Sequence, residues 1–114
     1  SLFDAMKSLG EATRFRIVET LLVHPACVTF LAKHLGISES AVSQHLKILR
    51  EAGLVRGEKR GYWTHYSVDR DALKQVGHEL ESMASVPERP CCGSGGSLVQ
   101  NNADQQRKEL PENV

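Results

Sequence analysis

Most of the features that mark other protein classes are missing from these 114 residues. No run of about 18 apolar residues occurs, so no membrane-spanning helix is expected. No basic segment followed by an apolar one opens the chain, and a secretory signal peptide is not expected either. Aromatic residues make up only 5%, with a single Trp. Cysteine is confined to Cys27, Cys91 and Cys92. An odd number of thiols cannot all pair within one chain, and two of these are neighbours. That excludes a secreted disulfide scaffold and points to a reducing cytoplasm. A chain of this length forms one small domain and leaves no room for a large enzyme. Net charge is absent as well, since 14 Lys and Arg balance 14 Asp and Glu. At first sight this argues against a nucleic-acid partner, because such domains are usually basic.

The balance is not local. Residues 33–60 carry six basic side chains (Lys33, Lys47, Arg50, Arg56, Lys59, Arg60) and three acidic ones (Glu39, Glu51, Glu58), a net of +3. Residues 79–114 carry three basic and six acidic, a net of −3. Local charge decides what one face can bind, so the middle segment is the functional candidate, although +3 is also compatible with an ordinary solvated surface.

Apolar residues at 2, 3, 6 and 9 predict a short first helix ending near Gly10. A second is predicted from about Glu11 to Val23, with Phe15, Val18 and Leu22 on one stripe and Ile17 and Leu21 beside it. Pro25 ends it, because the residue before proline avoids the helical region. Thr29 is placed to cap a third helix, Phe30 to Leu35, stopped by Gly36. Ser38 is the cap of a fourth, Glu39 suits its dipole, and Ala41, Val42, Leu46 and Leu49 form its buried stripe up to Gly53. Leu54-Val55 then leads to a charged tip, Glu58-Lys59-Arg60-Gly61, and returns through Tyr62 to Val68 with Tyr62, Thr64, Tyr66 and Val68 on one side. That alternation predicts a β-hairpin. A last helix is predicted from roughly Asp69 to Ala84, its Leu73, Val76, Leu80 and Met83 spaced like a coiled-coil seam. The fold class is mainly α with a small hairpin, in the order ααααββα. Residues 1–86 form the domain. Residues 87–114 form a tail carrying the cysteine pair, expected to be flexible from residue 93 because it has too few apolar groups to offset ordering entropy.

The strongest signal is Leu31-Ala-Lys-His-Leu-Gly-Ile-Ser-Glu-Ser-Ala-Val-Ser-Gln-His-Leu-Lys-Ile-Leu-Arg-Glu-Ala-Gly-Leu-Val55. It reads as a helix-turn-helix, with Gly36 and Ile37 making the turn. The second helix leaves Ser40, Ser43, Gln44, Lys47 and Arg50 outward and fits the major groove of duplex DNA. Gln44 can bond adenine bidentately, and the serines, Ser38, Ser40 and Ser43, can address bases or phosphates. Lys47, Arg50, Lys59 and Arg60 would neutralise phosphates. The hairpin directly after that helix would be a wing along the backbone, which makes the whole a winged helix-turn-helix.

Residues 8–83 resemble the ArsR/SmtB family of winged-helix repressors. The resemblance is carried by Ser8-Leu-Gly-Glu-Ala-Thr-Arg-Phe-Arg-Ile17, by Ser40-Ala-Val-Ser-Gln-His-Leu-Lys-Ile-Leu-Arg-Glu-Ala-Gly-Leu-Val55 and by Gly61-Tyr-Trp-Thr-His-Tyr-Ser-Val68. It implies a homodimer built from the first and last helices, here Leu2, Phe3, Met6 and Leu9 with Leu73, Val76, Leu80 and Met83. It also implies operator binding without inducer and release when a metal ion, metalloid or other signal binds. The family's DNA-reading positions fall on Ser40, Ser43, Gln44 and His45, with Lys59, Arg60 and Tyr62 in the wing. His45 has a second reading, as a helix residue packed against the turn.

The cysteines bear on the signal. Family members that sense arsenic or cadmium carry Cys-Val-Cys at the start of the third helix, whereas this chain has Cys27-Val28-Thr29. A hydroxyl is a poor substitute for a thiolate toward soft ions, and a lone Cys27 is also readable as a small buried apolar residue. Cys91-Cys92 stands in a Pro-Cys-Cys-Gly context with no core to fill. Two thiolates can chelate one soft centre, and Cys27, from the same or the partner subunit, could add a third. As(III) is the inducer this favours, ahead of Cd(II), Pb(II) or Zn(II), with no cofactor needed for DNA binding. The alternative is a thiol-redox or persulfide-responsive repressor of the same fold. His78 and Glu81 have ligand spacing on a helix, but the Asp-x-His partner pair of the family's second metal site is absent, which leaves a surface pair as the simpler reading. An enzyme built on the cysteine pair is not supported, because no Cys-x-x-Cys and no thioredoxin-like strand pattern is present.

Overall fold

A computed structural model describes residues 1–92; the expected flexible stretch 93–114 lies outside them. The order is α1 (Leu2–Leu9), α2 (Ala12–Val23), α3 (Val28–Leu35), α4 (Glu39–Glu51), β1 (Val55–Arg60), β2 (Trp63–Val68) and α5 (Arg70–Ala84). This is the winged helix-turn-helix order read from the sequence. The chain divides into two units, Ser1–Leu80 and the residues from Glu81 onward, with the boundary inside α5.

The first unit is built on one apolar core. Ile17, Val18 and Leu21 of α2, Leu31 of α3, Val42, Leu46 and Leu49 of α4, then Leu54, Val55 and Val68 are all buried. Phe15, expected on the α2 stripe, stays half exposed, because the burying face of α2 is centred on Ile17, Val18 and Leu21.

Local chemistry sets the turn between α3 and α4. Gly36 takes φ +70, a left-handed conformation that glycine adopts without a Cβ penalty. Its N–H and that of Ile37 both donate to the Ala32 carbonyl, at 2.8 and 3.1 Å. Ser38 Oγ then accepts from the Ala41 N–H at 3.0 Å and starts α4. The end of α4 is closed by two bonds, Gly53 N–H to Arg50 O at 3.0 Å and Leu54 N–H to Leu49 O at 3.0 Å. That is a Schellman arrangement, and the side chains it brings together, Leu49 and Leu54, are both buried.

Two local expectations shift. The third helix begins at Val28 rather than Phe30, with Cys27 at its N-cap and no side-chain cap bond. The cause is a bridge formed just before it: Ala26 N–H donates to Tyr66 O at 3.1 Å, and Tyr66 N–H donates to Ala26 O at 2.8 Å. The extended Ala26 hands the chain straight to the helix. The hairpin turn is also tighter than expected. Arg60 pairs with Trp63, leaving Gly61 (φ +65) and Tyr62 as a two-residue turn, so Glu58, Lys59 and Arg60 lie in β1 and not at the tip.

Candidate nucleic-acid interface and thiol pair

Burial of Val42, Leu46 and Leu49 fixes the rotation of α4. Ser40, Ser43, Gln44, Lys47 and Arg50 are left on its exposed side. Ser38 is exposed but its Oγ is committed to the cap. Lys47 Nζ lies 3.9 Å from Glu51 Oε2, with both side chains about two-thirds exposed. Arg60 lies 3.4 Å from Glu58 in the same exposed manner. Such surface pairs contribute little, so these cations remain available to phosphates. Lys59 is exposed on β1, and Tyr62 is almost fully exposed at the turn (99%). Trp63, beside it, is 54% exposed. Position 57 shapes the wing: Gly57 pairs with Tyr66, whose Cε1 would stand 2.9 Å from any Cβ placed there.

His45 differs from its neighbours. Its side chain is only 23% exposed and turns toward α2, where Nδ1 lies 3.2 Å from an Arg14 terminal nitrogen and 3.9 Å from Glu11 Oε1. Glu11 caps α2 by accepting the Arg14 backbone N–H at 2.9 Å. That bond, foremost, holds the Glu11 carboxyl below the ordinary carboxylate range. Arg14 was not among the sequence candidates. It is 31 residues from His45, and no local pattern links them.

Cys91 and Cys92 are exposed thiols with sulfurs 3.5 Å apart. Cys27 is half-buried at the start of α3. His78 and Glu81 are exposed on α5. Among the described residues, no group of three or more His, Cys, Asp or Glu side chains is assembled for a metal ion. The two tail thiols would supply at most two ligands to a soft ion, and a further one would have to come from elsewhere. Among the same residues, no helix is long and apolar enough to cross a membrane.

On α1 and α5, the expected dimer residues divide by exposure. Leu2, Leu9, Leu73 and Val76 are half-buried. Phe3 (70%), Met6 (38%), Leu80 (40%) and Met83 (62%) are exposed.

Comparison with known proteins agrees with the winged helix-turn-helix fold. Residues 11–56 match the model of a family described as bacterial regulatory protein, arsR family. The chain is 39% identical over 77 residues to the HTH-type transcriptional regulator Rv2034 of Mycobacterium tuberculosis, covering 68% of this chain and 72% of that protein. It is 41% identical over 61 residues to the arsenical resistance operon repressor of Escherichia coli, covering 53% of this chain and 52% of that one. Among solved structures, an ArsR-like transcriptional regulator from a Rhodococcus species superposes with a TM-score of 0.69 at 27% identity, covering 74% of this chain and 79% of the other.

Proposed function

The chain belongs to the arsR family of bacterial regulatory proteins, DNA-binding transcriptional regulators, and from that premise we propose that it is a homodimeric repressor released from its operator by a thiophilic ion, As(III) foremost. α4 enters the major groove with Ser40, Ser43 and Gln44 toward base edges. Lys47, Arg50, Lys59 and Arg60 meet phosphates, and Tyr62 leads the wing. The dimer forms through α1 and α5, where Phe3, Met6, Leu80 and Met83 are exposed apolar side chains that a second copy would cover. Such a regulator works in the cytoplasm, with DNA and reduced thiols.

The observation that carries the inducer reading is the pair of exposed sulfurs 3.5 Å apart at Cys91 and Cys92. Vicinal thiolates chelate soft centres that oxygen ligands hold poorly. Similarity to a repressor of an arsenical resistance operon supports the same choice. Cys27 is the third ligand in this reading, and Cd(II), Pb(II) and Zn(II) are the next inducers to try. Ligation would weaken DNA binding through the dimer, a coupling typically of about 1–3 kcal/mol.

The test is affinity for the duplex that the wild-type protein selects from a random-sequence library, with and without arsenite under a non-thiol reductant. A fall of about tenfold or more is expected. Unchanged affinity contradicts the metalloid reading. The same spacing of sulfurs favours one rival, a redox or persulfide switch. Release by peroxide or polysulfide, with no response to any ion, would establish the rival instead.

A further inference from the structure

We infer that Arg14 is a positioning residue for the reading helix, and that it holds His45 in the tautomer that makes the ring a donor toward DNA. The inference rests on α4 being the DNA-reading helix and adds what fixes that helix and one of its protons. Arg14 Nε donates to the Ser8 carbonyl in the last turn of α1 at 2.7 Å. Its backbone N–H is bound by Glu11, and a terminal nitrogen of its guanidinium reaches His45 Nδ1 on α4 at 3.2 Å. One side chain from α2 thus ties α1 to α4. Beside this strut the seam is open to solvent. A cleft of about 410 Å3, lined by Asp4, Lys7, Ser8, Arg14, Ile48 and Glu51 among others, lies between α1 and α4.

The tautomer follows from donor inventory. Guanidinium has donors only, so His45 Nδ1 must accept. A neutral imidazole with a lone pair on Nδ1 carries its proton on Nε2. Glu11 Oε1, at 3.9 Å from the same Nδ1, is too distant for a hydrogen bond and already accepts the Arg14 N–H. The ring keeps 23% of its exposure. Its Nε2–H is therefore the group left to address an acceptor, either a phosphate oxygen or a base oxygen or nitrogen in the groove.

The experiment uses the full chain and the duplex selected by the wild type, beside an unselected duplex of equal length. Arg14→Met and His45→Leu should each weaken selected-duplex binding about tenfold. The double variant should be no weaker than the weaker single one, because the pair acts as a unit. His45→Gln keeps an acceptor and a donor and should stay within about threefold. Unselected-duplex binding should hardly move if the acceptor is a base edge and should fall in parallel if it is a phosphate oxygen; both results support the inference. Imidazole 15N spectra without DNA should report Nε2 protonation in the wild type and a mixture in Arg14→Met. Additive losses would overturn the inference. So would an Nδ1–H ring in the wild type, or variants that lose thermal stability while their folded fraction binds undiminished. A wild-type protein that selects no duplex would overturn the DNA reading itself, and this inference with it.

Discussion

Helices α4 and α5 start alike. Ser38 Oγ accepts the Ala41 N–H at 3.0 Å, and Asp69 Oδ1 accepts the Ala72 N–H at the same distance. Both carry an apolar stripe at helical spacing. Their fates differ: Val42, Leu46 and Leu49 are at most 1% exposed, whereas α5 has no buried residue at all. Leu73 and Val76 are half-covered by the core, and Leu80 and Met83 lie open. An amphipathic pattern says that a face is apolar; it does not say what covers it. For α4 the same chain supplies the cover, through Ile17, Leu21, Leu31 and Leu54. For α5, in the reading proposed above, a second copy supplies it. On that reading α4 is finished by one chain and α5 by two.

The contrast can be broken most forcefully in the core. Leu46→Ala should cost about 2–5 kcal/mol of folding stability, since it empties a fully buried site. Leu80→Ala, at 40% exposure, should cost under about 1 kcal/mol at concentrations too low for association. Urea denaturation compares the two; equal costs would dissolve the distinction between the helices. The caps should sharpen it from the other side. Ser38→Ala and Asp69→Ala should each cost about 1 kcal/mol, the same at both helix starts despite the unequal burial that follows. Gly77 offers a smaller effect of opposite sign. A Cβ there meets nothing within 4 Å, so Gly77→Ala should stabilise α5 by about 0.5–1 kcal/mol. A loss instead, growing with protein concentration, would mean that a partner approaches Gly77 closely.

The smallest effect is the titration of the α2 cap. Because its folded pKa is depressed, Glu11 contributes stability that is complete above the ordinary carboxylate range and fades as pH falls through the lower folded value. The difference in urea midpoint between wild type and Glu11→Gln should therefore be present at neutral pH and vanish in acid. Ser38→Ala, which removes a hydroxyl cap, should show no such dependence over that range.

What could be read beforehand was what short-range chemistry dictates. Gly36, Ser38 and Gly53 announce the ends of α3 and α4 because each solves a backbone problem within a few residues. The outward side of α4 follows from three buried leucine and valine positions. The features that escaped are long-range. Nothing near Ala26 predicts its bridge to Tyr66, and that bridge moves the start of α3. Nothing near His45 predicts Arg14, yet that contact separates His45 from Ser43 and Gln44, which face outward on the same helix. The hairpin tip differs from the charged tip that the sequence suggests, because Gly61 and Tyr62 make a two-residue turn and the charged residues before it pair in β1. The vicinal thiols are visible in the sequence, and the structure adds that both are exposed with sulfurs 3.5 Å apart.

The central claim is that sensing and reading are separable: α4 and the wing bind DNA, and Cys91 with Cys92 only release it. The most direct test is the affinity of the Cys91→Ser/Cys92→Ser protein for the selected duplex, measured by fluorescence anisotropy before and after arsenite. The account predicts wild-type affinity before arsenite and no change after it. Weakened binding in the absence of arsenite, or an undiminished release in its presence, would contradict it.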